Sequence, residues 1–258
     1  MRDTATDRPQ KRKGRLRGIG ILHEDADVIV IEKAAGLLVQ ETRTGGEYTV
    51  EGALSDYVRK GQSKSRKRVY LVHRLDRETS GVMMVAKTPE AQEYFRSRWN
   101  EITEKTYLAR IAGVLPAGNG VYESLLAEDA DGYRVRYVKD PCRGKPARTE
   151  WERISESRGT TLVRVCLKTG RKNQIRVHFA EDGHPVVGDA KYGGKAAISR
   201  RWKGMCLHAW RLAFIHPHTG KRLFFETALP VFATDRTSII DNADKVKEND
   251  IRRSTEAE

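Results

Sequence analysis

In HRLDRETSG, residues 73–81 of this 258-residue chain, Asp76 sits between Arg74 and Arg77 just ahead of a Thr-Ser-Gly turn that Gly81 can relax. A carboxylate so placed can attack a carbon, remove a proton, or stabilise a developing cation. An arbitrary aspartate of this kind is half of a surface salt bridge, so other segments must decide between the two readings. KTGRKNQIRVHF, residues 168–179, gathers Lys168, Arg171, Lys172 and Arg176. Its IRVHF run alternates and reads as a strand, with Arg176 and His178 on one face and Ile175 and Val177 packed behind. GHPVVGDAKYG, residues 183–193, is punctuated by glycine and suits a tight loop around a ligand.

Other chemistries find little support. Gly18-Ile19-Gly20 lacks the third glycine and the preceding strand of a dinucleotide site, and no GxxxxGK[ST] segment is present. Ser80 lies in TSG rather than in a GxSxG elbow. His216-Pro217-His218, with no carboxylate or cysteine partner in the sequence, reads as a turn. Cys142, Cys166 and Cys206 are odd in number and widely spaced, which argues against a disulfide framework or a cysteine zinc site and points to a reducing compartment. The expectation is a protein with no metal and no small-molecule cofactor.

The elements that must position these residues are strand-rich. VIVIE at 28–32, VMMVA at 82–86 and LVRVCL at 162–167 read as strands. Residues 50–58 place Val50, Ala53, Leu54, Tyr57 and Val58 on one helical face, with Thr49 as the cap. Thr88 followed by Pro89 starts a second helix, expected to reach about Trp99. Few helices among many strands with mixed spacing indicate an α+β chain.

The three segments, with EKTYLARIAG at 104–113, ILHEDADVIVIEKAAGLLV at 21–39 and LHAWRLAFIHPHTGKRLFFETALP at 207–230, resemble the RluA-type pseudouridine synthases across nearly the whole body. The resemblance implies a mixed, mostly antiparallel central sheet with flanking helices and a central catalytic cleft. It implies Asp76 as the catalytic carboxylate in converting uridine to pseudouridine, where the N1–C1′ bond breaks, the base turns, and C5 joins C1′. The isomerisation needs no redox partner or energy donor. Asp76 either attacks C1′ or removes the C2′ proton, and the sequence leaves both open. The resemblance further implies Arg176 as the cation beside Asp76, Tyr107 stacking on the base and taking the C5 proton, and Arg74 filling the place of a flipped base. A non-catalytic RNA-binding or ribosome-assembly protein on the same scaffold is one alternative reading, and a glycoside or nucleoside hydrolase with Asp76 as nucleophile and Glu78 as the nearby second carboxylate is another.

Charge agrees with a polyanionic partner. The formal net charge is +13, of which residues 1–18 hold +5 and residues 235–258 hold −2, leaving +10 on residues 19–234. The expected organisation is a disordered basic arm over 1–18, one catalytic domain over 19–234 and a polar tail over 235–258. Arg59, Lys60, Lys64, Arg66, Lys67 and Arg68 form a loop free of acidic residues, and with Arg171 and Lys172 they are candidate RNA contacts. No stretch approaches the roughly 20 apolar residues of a membrane helix, and a cytoplasmic monomer acting on ribosomal or transfer RNA is expected. Relatives commonly carry Thr-His or Ser-His where this chain has Lys172-Asn173, and KPAG where it has KAAG at 33–36, followed here by Gln40-Glu41 instead of His-Pro. None of these departures is expected to touch Asp76, Tyr107 or Arg176. Many relatives also have a small RNA-binding domain ahead of the catalytic one, for which 18 residues leave no room, so the compact members are the better match.

Overall fold

A computed structural model describes residues 16–42, 45–62 and 64–234. The expected tail over 235–258, and all but the last three residues of the expected arm over 1–18, lie outside the described residues. In chain order the elements are β1 (Ile19–Glu24), β2 (Val28–Lys33), α1 (Val50–Arg59), β3 (Tyr70–Leu71), β4 (Ser80–Ala86), α2 (Pro89–Ile102), β5 (Thr103–Ala112), β6 (Asn119–Glu128), β7 (Val135–Val138), β8 (Lys145–Ser157), β9 (Thr160–Leu167), α3 (Gln174–Glu181), β10 (Leu207–Ile215) and β11 (Arg222–Glu226). The sheet runs β1-β2-β4-β10-β5-β9-β8-β6-β7, with β3 added to β4 and β11 to β10. All these strand pairs are antiparallel except β4 with β10, a short parallel contact that joins His208 to Ser80 and Ala209 to Gly81. The α+β reading with a mixed, mostly antiparallel sheet holds.

Local chemistry accounts for the helix starts. The Thr49 hydroxyl accepts from the Gly52 N–H at 3.1 Å and the Thr88 hydroxyl from the Ala91 N–H at 3.1 Å, each cap being worth about 1 kcal/mol. The second helix continues to Ile102, past the expected Trp99, across a kink at Arg98. In β2, Val28 to Ile31 are buried at consecutive positions, as fits a strand covered on both faces.

The strand expected at 175–179 is instead part of the helix α3, which is a correction. Residues 174 to 179 are all buried, so this stretch turns no face to solvent and its alternating Ile-Arg-Val-His-Phe text carries no helical signature. On a helix, positions two apart diverge by about 200°. Arg176 therefore does not share a face with His178, which bonds Thr149 and Ser124 through its two ring nitrogens, both at 2.8 Å.

Gly81 does more than relax a turn. It lies inside β4 at φ 114°, and a Cβ there would sit 2.1 Å from the Ala209 carbonyl oxygen of β10. Only glycine lets the two strands meet. Beside it, His208 links Ser80 (2.7 Å) to Thr227 (2.7 Å), and burial lowers its pKa to about 4, so it bridges the seam as a neutral ring. Gly81→Ala should lower stability by about 3 kcal/mol, which is roughly 6–12 °C in the thermal midpoint for a chain of this size. A midpoint within 2 °C of wild type, measured by calorimetry, would show that the seam yields.

Candidate active site

The loop from β3 to β4 delivers Asp76 to the seam. Its flanking Leu75 and Thr79 are buried, and the Thr79 N–H bonds the Asp76 carbonyl at 3.1 Å. A buried lysine grips the next residue of the loop. The Lys33 Nζ donates to the carbonyls of Leu37 (2.8 Å), Ala34 (3.0 Å) and Arg77 (3.2 Å), and the Gly36 N–H donates to the Arg77 carbonyl at 2.7 Å. Burial pushes Lys33 down to about 8, opposed by the charges of Asp76 and Glu78. The KAAG turn thus bears on the loop that carries Asp76 through Arg77, and none of these bonds is to Asp76, Tyr107 or Arg176.

From α3, the Arg176 guanidinium forms a bidentate pair with Asp189, Nε to Oδ2 at 2.7 Å and Nη2 to Oδ1 at 2.8 Å. Its remaining Nη1 donates to Asp76 Oδ2 at 2.9 Å. Burial works against the guanidinium charge, but Asp189 and then Asp76 outweigh it and hold the proton more tightly than usual. Burial likewise opposes the Asp189 charge. Arg176 and the N–H groups of Tyr192 and Lys191 overcome that and keep its pKa below the ordinary carboxylate value. The second donor to Asp76 Oδ2 is Asn173 Nδ2 at 2.6 Å. The Lys172-Asn173 departure therefore does touch Asp76, and the expectation is corrected. Because the contact joins residues 97 apart, no local pattern announces it.

Tyr107 stands on β5, between Ala209 of β10 and Val165 of β9. It lines the same cleft as Asp76, Arg74, Arg171, Asn173 and Arg176. Burial, then the nearby Asp76 charge, raises its pKa, so its hydroxyl is a neutral phenol at physiological pH. The sequence reasoning missed Asp189, Asn173 and Lys33. A signal for Asp189 existed: a buried arginine demands a buried carboxylate, and GDAKY supplies one in a segment already singled out.

The candidate RNA contacts divide. Arg74 is exposed and lines the cleft. Lys60, Lys64, Arg66, Lys67 and Arg68 are exposed, with the Arg68 guanidinium 5.0 Å from the Tyr70 ring centre. Three others already hold partners within the chain, in solvent-exposed contacts. Arg59 pairs with Asp56 at 3.1 Å and donates to the Lys67 carbonyl, Arg171 donates to the Pro146 carbonyl at 2.9 Å, and Lys172 pairs with Glu128 at 2.7 Å. Glu78 is exposed and does not line the cleft.

Away from the cleft, His216 does have carboxylate neighbours, Asp25 and Asp27, with ligand-type atoms of all three within 4.8 Å. Its Nδ1 accepts the N–H groups of His218 and Thr219, which leaves Nε2 as the donor to Asp25 at 3.1 Å. The ring closes the turn expected of the HxH segment, and Asp25 and Asp27, distant in sequence, correct the expectation that it lacks carboxylate partners.

A family model described as RNA pseudouridylate synthase matches residues 27–181, well over half of the chain. The chain belongs to the RNA pseudouridylate synthase family. It is 36% identical to a ribosomal large subunit pseudouridine synthase D of Yersinia pestis, over 82% of this chain and 67% of that protein. The synthase of the same name from Nitrosomonas europaea is 34% identical, over 87% of this chain and 66% of that protein. The chain thus spans about two thirds of the length of these curated relatives. The solved structure of human RNA pseudouridylate synthase domain containing 4 superposes with a TM-score of 0.65 at 27% identity, covering 83% of this chain and 89% of that one. Among the described residues no helix is long and apolar enough to cross a membrane.

Proposed function

We propose that this synthase-family chain isomerises uridine to pseudouridine within structured RNA, with residues 19–234 as the catalytic domain. The observation that carries this reading is the asymmetric hold on Asp76. Arg176 and Asn173 both bond Oδ2, and the carboxylate lines a cleft shared with Tyr107. Oδ1 is left for the sugar, whether it adds to C1′ or removes the C2′ proton. Tyr107 stacks on the base as a neutral phenol, so as it accepts the C5 proton its own proton passes to water, which also supplies the proton that N1 of the product gains. Extruding a uridine costs a few kcal/mol, and Arg74, exposed at the cleft, is the side chain to fill the vacated stack. The relatives' names favour ribosomal RNA, with transfer RNA the other candidate. No cofactor is assigned to the reaction, and the proposed setting is the cytoplasm, with the chain acting as a monomer.

Ribosomal and transfer RNA carrying uridine tritiated at C5 test this directly. C5 must exchange its hydrogen for the sugar carbon, so isomerisation releases tritium to water. Release with one RNA pool and recovery of pseudouridine from it supports the reading. Free uracil, or no release from either pool despite RNA binding, would overturn it in favour of a hydrolase or a non-catalytic RNA binder.

The exposed basic loop supplies affinity in this reading. Replacing Lys60, Lys64 and Lys67 by alanine should weaken RNA binding and reduce the slope of log K against log salt by roughly 2 to 3, about 0.7–0.9 per phosphate contact. Turnover at saturating RNA should stay near wild type. An unchanged salt slope in filter-binding titrations would make these lysines solvated surface only.

A further inference from the structure

Asn173 is built into a relay that ends on the catalytic carboxylate. It occupies the left-handed region at φ 53°, ψ 19°, as the residue preceding α3, a conformation that asparagine tolerates better than most side chains. The backbone alone does not explain the side chain's bonds. Its Oδ1 accepts from the Tyr192 hydroxyl at 3.1 Å and from the Lys191 Nζ at 3.2 Å. With two donors on that oxygen, the amide has one sensible orientation, and Nδ2 must face Asp76 Oδ2, 2.6 Å away. The donors are themselves fixed. Tyr192 accepts the Val135 N–H at 2.9 Å and lies beneath the Arg176 guanidinium, 5.2 Å from ring centre to Cζ. Lys191 also donates to the Tyr133 carbonyl.

We infer that Asn173 is a positioning residue for the isomerisation: with Tyr192 and Lys191 behind it, it locks Asp76 by one oxygen and presents the other to the ribose. The inference rests on the proposed function and deepens it. Arg176 Nη1 alone fixes one point of the carboxylate and leaves it free to swing about that contact. A second donor on the same oxygen, approaching from the N-terminal side of α3, removes that freedom. The Lys191 cation on the far side of the amide polarises the Asn173 N–H toward the carboxylate.

Two variants separate positioning from backbone support. Asn173→Asp keeps the shape and tolerates the left-handed backbone but replaces the donor with a repelling carboxylate. Asn173→Gly keeps the backbone and removes the side chain. In the tritium-release assay each should lower kcat about 10- to 100-fold, the usual cost of disturbing a group that orients a reacting one. KM and the thermal midpoint should stay near wild type. Retention of half or more of kcat by Asn173→Asp, or a loss confined to KM or to folding, would overturn the inference. Crystal structures of wild type and Asn173→Asp decide the same point without turnover. Asp76 rotated out of its contact with Arg176 in the variant supports positioning, and an unmoved Asp76 refutes it. Failure of the functional reading is distinct from both: it appears as an inactive wild type.

Discussion

Asp76→Asn should abolish tritium release, lowering kcat on the order of 10⁴-fold or more, while RNA affinity and thermal midpoint stay close to wild type. The prediction is sharp because the substitution is nearly invisible to the fold. An asparagine at 76 can still turn its carbonyl oxygen to Asn173 Nδ2 and Arg176 Nη1, the two donors that hold Oδ2 in the wild type. What then faces the cleft is an amide NH₂, which has no lone pair with which to attack C1′ or accept the C2′ proton. Arg176 keeps its bidentate partner Asp189, so no buried charge is orphaned. Activity within tenfold of wild type in a single-turnover assay would remove Asp76 from the reaction and leave the cleft without a carboxylate to replace it. Loss of RNA binding along with activity would instead mark Asp76 as a binding group.

How far the sequence could carry this depends on the range of the interaction concerned. Thr49 and Thr88 cap helices within three residues of themselves, and both helix starts are legible. The strands at Val28, Val82 and Leu162 are legible because their apolar runs are bounded by turns. The helix α3 is not, since its residues 174 to 179 are all buried and its β-branched Ile175 and Val177 imitate a strand. Asp76 and Arg176 emerge from the motifs that carry the family resemblance. Their supports do not, because Asn173 lies 97 residues from Asp76, and Lys33 lies 44 from Arg77. The same distance effect misleads at the surface. Lys172 looks like a free cation beside Arg171, but its partner Glu128 is 44 residues away on β6. Charge composition counts cations, whereas only the fold shows which of them already face a carboxylate of the same chain.

Arg176→Met should cost roughly 3–5 kcal/mol of stability, the usual result of removing one partner of a buried pair. That corresponds to about 6–20 °C in the thermal midpoint. Arg176 and Asp189 have side chains only 6% and 1% exposed, so the variant leaves a carboxylate in the interior with only backbone N–H groups to offset its charge. Lysine should rescue incompletely, because a single ammonium cannot serve both oxygens of Asp189 and Asp76 together. The pH dependence identifies the cause. In wild type the folded pKa of Asp189 lies below its ordinary value of 3.8. Its contribution to stability is therefore full above the unfolded pKa of about 3.9 and is lost as pH falls through the lower folded value. In the variant, burial without the cation raises the Asp189 pKa instead, and protonation relieves the penalty as pH is lowered from 7. The stability gap between wild type and Arg176→Met, measured by urea unfolding, should thus narrow between pH 7 and pH 4. A gap constant across that range would assign the loss to the missing guanidinium contact with the Tyr192 ring rather than to the Asp189 charge.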